Sequence, residues 1–118
     1  MSRRHTVDLA GLSSEAALEV ADTMQALAAA SRVRILGRLT AGPCSVKELA
    51  RDVEMEQPAV SQQLRVLRDL GLVVGKRHGR NTIYKLHDNH VRVLLAEAVA
   101  HTEHRRSATA DRRAATSA

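Results

Sequence analysis

The chain has 118 residues, enough for one small domain. It carries 18 Lys and Arg against 13 Asp and Glu, a net charge of +5, and this basic balance favours DNA or RNA as a partner over membrane surfaces. Apolar residues make up 44% of it, but Tyr84 is the only aromatic residue, so the core must be aliphatic. So little aromatic bulk in so small a chain favours burial against a second subunit.

The only cysteine, Cys44, excludes an intramolecular disulfide and a zinc site built from several cysteines. The N-terminus has basic residues but no apolar run behind them that resembles a signal peptide. No stretch approaches the roughly 20 apolar residues of a membrane span. We therefore expect a cytoplasmic protein with no membrane partner.

The first two predicted helices are recognised by their ends. Ser13 or Ser14 can cap a helix that runs to about Ala28. Ser31 can cap a second helix, because apolar residues recur behind it at helical spacing. Gly42-Pro43 then ends that second helix.

Two further helices follow closely. Ser45 and Glu48 have the spacing of a capping box, which opens a short third helix through about Val53. Gln57-Pro58 begins a fourth helix, since proline is favoured in the first turn, and Gly71 ends it. The predicted buried stripe of the fourth helix is Val60, Leu64 and Leu67.

The pattern then changes from helix to strand. Residues 72–74 and 82–86 are strand-like, and residues 76–80 form a basic, glycine-containing turn between them. Asp88 can cap a fifth helix. Helices, a helix-turn-helix, a two-stranded wing and a final helix predict a mainly α fold with a small β-hairpin, the winged helix-turn-helix.

The predicted domain covers residues 13–104. Residues 1–12 are expected to be a flexible tail and residues 105–118 a disordered basic tail, because the second segment has no large apolar residue to offset its ordering entropy. The first and last helices are expected to pair in a dimer, since Leu94 and Leu95 are apolar residues that one small domain would struggle to cover.

The second helix of a helix-turn-helix inserts its exposed face into the major groove. Gln can pair with adenine, Ser reaches several acceptors, and Arg serves guanine or phosphate. Basic wing residues add phosphate or minor-groove contacts. The predicted DNA-binding residues are Gln57, Ser61, Gln62 and Arg65 on the fourth helix and Lys76, Arg77 and Arg80 in the wing. The alternative is that these are only solvated residues.

The fifth helix carries a stripe of metal-ligand residue types. His90 and His101 lie about three turns and about 16 Å apart on one side of the helix, and His104 follows one turn later. Metal-ligand bonds are only about 2.0 to 2.2 Å long, so one helix cannot close a site using both ends. Two antiparallel copies would bring Asp88 and His90 beside the partner's second histidine pair, giving two equivalent four-ligand sites. Alternatively, Asp88 is only a cap and the histidines only surface residues.

Several segments together resemble the ArsR/SmtB family of dimeric metal-responsive repressors. They are MEQPAVSQQLRVLR at 55–68, LGLV at 70–73, GR at 79–80 and YKL at 84–86, and the resemblance covers roughly residues 15–104. Gln62 stands where relatives commonly carry His, and Pro58 replaces a small polar residue, which bears on operator preference.

The resemblance also implies a metal site. The family's pattern on the fifth helix is Asp-x-His, ten residues, then His-x-x-His or Glu, and it falls here on Asp88, His90, His101 and His104. The family implies the same antiparallel helix pairing. The chain is most similar to the nickel and cobalt sensors of the family, in which a histidine near the N-terminus adds a ligand, and His5 is the nearest candidate here.

The identity of the metal stays open at this point. Three imidazoles and one carboxylate suit tetrahedral Zn(II), and imidazole also suits Ni(II) and Co(II). The hypothesis is a homodimeric repressor of operator DNA that a divalent metal releases. The alternative is a winged-helix regulator that does not sense metal directly and is constitutive or partner-controlled. An enzyme with a small-molecule substrate is disfavoured, since four protein ligands leave a zinc site no open position.

Overall fold

The computed structural model describes residues 8–116. After a single 3-10 turn at Leu9–Gly11, the elements are α1 (Ser14–Ala26), α2 (Ala30–Leu39), β1 (Cys44–Ser45), α3 (Val46–Val53), α4 (Gln57–Asp69), β2 (Val73–His78), β3 (Asn81–Leu86) and α5 (Asn89–Thr116). The predicted order of five helices with a wing before the last is confirmed.

The wing belongs to a sheet of three strands rather than two. The strand order is β1-β3-β2, and both pairings are antiparallel. Cys44 of β1 lies opposite Tyr84 of β3, while β2 pairs with β3 along its whole length. The two residues of β1 are too few for a recognisable alternation, so only the pairing reveals the strand. Gly79 adopts φ +61° in the turn between β2 and β3, a left-handed conformation that favours glycine.

Side-chain caps position the first and third helices as predicted. The Ser13 hydroxyl accepts a hydrogen bond from the backbone N–H of Ala16 at 3.1 Å. Ser45 and Glu48 form both hydrogen bonds of the capping box, so α3 begins directly after β1. These helix starts depend on neighbouring residues only, which is why the sequence shows them.

The predicted cap of the second helix was wrong. α2 begins at Ala30, which places Ser31 inside its first turn. The carbonyl of Ala29 accepts from the N–H groups of Arg32 and Val33 at 3.0 and 3.1 Å, so the helix starts without a side-chain cap. Backbone hydrogen bonds satisfy part of the first turn instead.

An aliphatic core fills the space between α2, α3, α4 and the sheet, as the composition predicts. The predicted stripe of α4 is fully buried, and Ile35, Leu36 and Leu49 are its equally buried neighbours on α2 and α3. Two residues of α5, Val91 and Leu95, complete the core. The side chain of Arg92 also donates to the backbone carbonyl of Thr40, which attaches the start of α5 to the end of α2.

The last helix is longer than the sequence predicted. The expected disordered tail from residue 105 is helical through Thr116. Helical hydrogen bonds form within the segment, so they need no buried side chain, and the stretch is rich in Ala and Arg, both good helix formers, with neither Gly nor Pro. The entropy cost of ordering therefore does not by itself prevent this segment from forming a helix.

The part of the expected N-terminal tail that the structure describes also differs from the prediction. Leu9–Gly11 forms a 3-10 turn, whose start is capped by Asp8 through a hydrogen bond from the Ala10 N–H at 3.1 Å. Its residues are exposed, so the local hydrogen bond rather than burial defines the turn. His5 lies outside the described residues. None of the helices within residues 8–116 has the length and apolarity needed to cross a membrane.

Candidate functional site

Helix α4 presents a polar face opposite its buried stripe. Ser61, Gln62 and Arg65 are exposed, and by helical geometry they lie about 100 to 160° away from Val60 around the axis. Gln57 is exposed at the start of the same helix, where a proline stands in the first turn. The four residues predicted to contact DNA are therefore all exposed on this helix, and the opposite side of the helix packs against the core.

Arg68 belongs to this exposed face as well and was missed from the sequence. It follows Arg65 by three residues, about one helical turn, and it is exposed. The i,i+3 spacing of the two arginines was the available signal. A second guanidinium on this face extends the positive surface of α4 towards its C-terminal end.

The wing supplies its basic residues on different sides. Lys76 and Arg77 are neighbours on β2, so their side chains point to opposite faces of the sheet, and Arg80 lies in the turn. The Arg77 Nε donates to the backbone carbonyl of Gly79 at 3.2 Å, which braces the turn from within the wing. All three side chains are exposed, but they do not form a single patch.

The start of α5 holds a carboxylate between two imidazoles. Asp88 accepts the backbone N–H of His90 at 2.9 Å through Oδ1, as a helix cap does. Its other oxygen, Oδ2, lies 3.0 Å from Nδ1 of His87 and 3.5 Å from Nδ1 of His90. The hydrogen bond from His87 and then that from the His90 backbone lower the pKa of Asp88, so this carboxylate is ionised at neutral pH.

His87 thus contacts a predicted ligand, although the sequence pattern left it without a role. Its only signal was its position directly before Asp88. A carboxylate that accepts hydrogen bonds on both oxygens has a restricted orientation. His87 is therefore a positioning residue for Asp88.

The second pair of predicted ligands lies far along the same helix. His101 and His104 are exposed, one turn apart, and about 16 Å or more beyond His90. Within residues 8–116 of one chain, no three His, Cys, Asp or Glu side chains come close enough together to hold a metal ion. Imidazole nitrogens and a carboxylate are nevertheless ligand types that suit divalent transition metals, and the side chain of His90 is 95% exposed. The residue types suit such an ion, but the described part of one chain does not bring them together.

An apolar groove runs beside the second pair, between α1, α2 and α5. Met24 and Val99 are 55% and 50% exposed, and together with Leu27, Val33 and Leu94 they line the groove next to His101. Leu95, however, is buried within the chain, so the expectation that it needs a second subunit was wrong. Exposed apolar surface of this kind on a small domain marks an association surface.

Cys44 is buried in β1. Burial raises the pKa of its thiol, which opposes the thiolate form that binds metals. Its packing in the core is typical of an inert structural cysteine.

A helix-turn-helix with an exposed polar second helix, followed by a β-wing, defines a winged-helix DNA-binding protein. Residues 30–74 match the model of the family described as "Bacterial regulatory protein, arsR family". The chain is 55% identical over 103 residues to the HTH-type transcriptional regulator NmtR of Mycobacterium tuberculosis, covering 87% of this chain and 86% of that protein. The chain belongs to the ArsR family, and it is an NmtR-like transcriptional repressor.

Two solved structures support the assignment. The solution structure of apo-NmtR superimposes with a TM-score of 0.69 at 53% identity, covering 88% of this chain and 86% of that one. The homodimeric winged helix-turn-helix DNA-binding domain of a possible ArsR-family regulator from Mycobacterium bovis has a TM-score of 0.69 at 32% identity, covering 80% and 91%. A further relative, the repressor SmtB of M. tuberculosis, is 39% identical over 80 residues, 68% of this chain and 59% of that protein. These relatives are transcriptional regulators and not enzymes.

Proposed function

We propose that this repressor is a homodimer that leaves its operator DNA when a divalent transition metal binds between paired α5 helices. The observation that carries the proposal is the separation of the four candidate ligands into two exposed pairs at different positions along α5. Among the described residues of one chain, no three His, Cys, Asp or Glu side chains are grouped so that they could hold an ion, and an apolar groove lies beside the second pair.

Each site would combine residues from two chains. Asp88 and His90 of one protomer would bind together with His101 and His104 of the partner subunit, and the two-fold axis would generate a second identical site. Asp88 is already ionised and oriented by its hydrogen bonds, so it needs little rearrangement to serve as a ligand. The exposed apolar residues of α1 and α5 would be covered by the same pairing.

The donor set accepts three candidate ions. Four ligands, three of them imidazoles, suit tetrahedral Zn(II), while imidazole also suits Ni(II) and Co(II). The similarity to nickel and cobalt sensors favours the latter two, with His5 as a candidate extra ligand for a higher coordination number. A bound divalent ion supplies cross-links between the two α5 helices and no reaction chemistry.

DNA reading would fall to α4 and the wing. Gln57, Ser61, Gln62 and Arg65 would contact base edges and phosphates in the major groove, and the basic wing residues Lys76, Arg77 and Arg80 would contact the backbone or minor groove. The dimer would place two α4 helices at half-sites about one helical turn, roughly 34 to 36 Å, apart. We place this activity in the cytoplasm, where the operator is.

Metal and DNA would disfavour one another because each prefers a different arrangement of the dimer. Cross-linked α5 helices would hold the two α4 helices out of register with the half-sites. The coupling is reciprocal, and its usual scale is about 1 to 3 kcal/mol, which corresponds to about 5- to 150-fold in affinity.

A DNA-binding titration tests the proposal. Fluorescence anisotropy of the full-length protein on operator DNA, repeated with Zn(II), Ni(II) and Co(II), should show that at least one ion weakens binding by about 5- to 150-fold. His78→Ala is the control for a histidine outside the candidate ligands, because it lies in the wing at the end of β2. Its DNA affinity should still fall by the same factor when the metal is added. Tight metal binding with no change in DNA affinity would instead favour a constitutive or partner-controlled regulator.

A further inference from the structure

Gln63 differs from its neighbours on α4 because it faces the protein. It lies about 60° from the buried Val60 around the helix and about 160° from the exposed Arg65. Its side chain is half-buried, and its Oε1 accepts a hydrogen bond from Nε of Arg32 at 2.7 Å. Gln63 is therefore a poor candidate for a DNA contact, although it adjoins Gln62.

Arg32 makes a second contact that reaches another helix. Its Nη1 donates to the backbone carbonyl of Ala26 at 3.3 Å, at the last residue of α1. Carbonyls in the last turn of a helix lack intrahelical partners, so this one is available to a side chain. One half-buried guanidinium on α2 thus connects the end of α1 to the side of α4.

The two connected helices have different tasks in the proposed dimer. α1 exposes apolar residues, including Leu18 and Met24 at 65% and 55%, on the surface we assign to the dimer contact. α4 carries the polar face we assign to DNA. The Arg32 contact is therefore a direct link between the subunit interface and the DNA-reading helix.

We propose that the hydrogen bond between Arg32 and Gln63 sets the spacing between the two half-sites that the dimer accepts. This inference rests on the proposed function, in which α4 reads DNA and α1 contributes to the dimer. The buried stripe of α4 holds the helix against the core, but apolar contacts are non-directional and permit small rolls and shifts. A charge-assisted hydrogen bond is directional, so it fixes α4 relative to α2, and the contact of the same guanidinium with the Ala26 carbonyl extends this to the end of α1.

A change of one base pair in the distance between the half-sites is large compared with the length of this hydrogen bond. One additional base pair moves a half-site by about 3.4 Å and turns it by about 34°, since B-DNA has about 10 to 10.5 base pairs per turn. A hydrogen bond to a charged group corresponds to about tenfold or more in an equilibrium constant. Losing it should relax the discrimination between adjacent spacings by about tenfold.

In vitro selection of the full-length protein on a random double-stranded DNA library measures the accepted spacing directly. Wild type should enrich paired half-sites at one spacing. Gln63→Met keeps the length of the side chain but removes the acceptor, and it should enrich the same half-site sequence at two or more spacings. Anisotropy on the selected duplexes should show that its preference for the original spacing over one base pair more or less falls about tenfold.

Three further variants separate positioning from general damage. Gln63→Glu keeps an acceptor for Arg32 and should restore the single spacing. Arg32→Met breaks the contact from the other side, so the result does not depend on the folding of one variant. Arg34→Ala removes the same charge from an exposed position of the same helix and should behave as wild type.

Several results would overturn the inference. A single unchanged spacing for both Gln63→Met and Arg32→Met would show that the contact does not set it. A changed half-site sequence in Gln63→Met would show that Gln63 reads bases. If wild type enriched no paired half-sites, the proposed dimeric reading of DNA would fail, and this inference would fail with it.

Discussion

Helices α4 and α5 differ in how much of their surface the chain itself buries. α4 (Gln57–Asp69) buries Val60, Leu64 and Leu67 completely against its own chain. α5 (Asn89–Thr116) is more than twice as long but contributes only Val91 and Leu95 to the core. The chain's own core therefore determines where α4 lies, whereas α5 contributes little to that core.

The functional groups follow the same division. The polar face of α4 is complete within one chain. The ligand stripe of α5 is incomplete in one chain, since its two pairs are too far apart to share one ion. In the proposed dimer, metal binding at α5 would change the position of the two α4 helices relative to each other without unfolding either chain.

The largest expected effect contrasts one core residue with one interface residue. Leu64→Ala should lower the free energy of unfolding by about 2 to 5 kcal/mol, because it leaves a cavity beneath α4. Val99→Asp, at a half-exposed position of α5, should leave the chain folded and dissociate the dimer. Urea unfolding and sedimentation at fixed protein concentration measure the two effects. If Val99→Asp lowered the free energy of unfolding as much as Leu64→Ala does, the contrast between α4 and α5 would be contradicted.

The next effect concerns the shared metal site. His90→Ala and His101→Ala should each reduce metal affinity by about 100-fold or more, since even outer-shell changes cost about 10- to 100-fold. Apo DNA affinity should change little. A mixed dimer of the two variants has one site without both altered ligands and one intact site, so it should bind a single metal per dimer tightly. The absence of a recovered site in a verified mixed dimer would falsify the crossed arrangement of α5.

The DNA face of α4 can be separated from the wing by the kind of loss. Gln62→Ala should cost about 1 to 3 kcal/mol at one base position if its contact is bidentate. Arg77→Ala should weaken binding to all sequences and lower the salt dependence of log K by about one. Anisotropy on specific and random duplexes at several salt concentrations distinguishes them. Equal losses on both kinds of DNA for both variants would contradict the assignment of α4 as the reader.

The smallest expected effect concerns an ion pair within one chain, between α2 and α3. Nε of Arg38 on α2 donates to Oδ2 of Asp52 on α3 at 2.6 Å, and this contact lowers the pKa of Asp52 below its usual range. A lowered folded-state pKa contributes stability that is present above the unfolded pKa, about 3.9, and is lost as the pH falls through the lower folded value. Asp52→Asn should therefore slightly destabilise the protein at pH 7 and not near pH 2. Thermal unfolding at both pH values would show it, and an equal loss at both would exclude the ion pair as its cause.

The sequence by itself determined the elements that depend on near neighbours. The capping box of Ser45 and Glu48, the start of α4 at Gln57-Pro58 and its buried stripe were all predicted, because caps and helical periodicity involve residues only a few positions apart. The spacing of His90 and His101 along one helix likewise predicts a metal site shared between two chains. That site stays a prediction.

Only the tertiary structure decided the contacts between distant segments. Arg32 and Gln63 are 31 positions apart, and nothing local indicates that they form a hydrogen bond between α2 and α4. The strand pairing of Cys44 with Tyr84 was hidden for the same reason. Periodicity shows which face of an element is buried, but it does not show which other element covers it. That choice follows from how the helices and the sheet pack around one aliphatic core, and it determines how the DNA-reading helix is held.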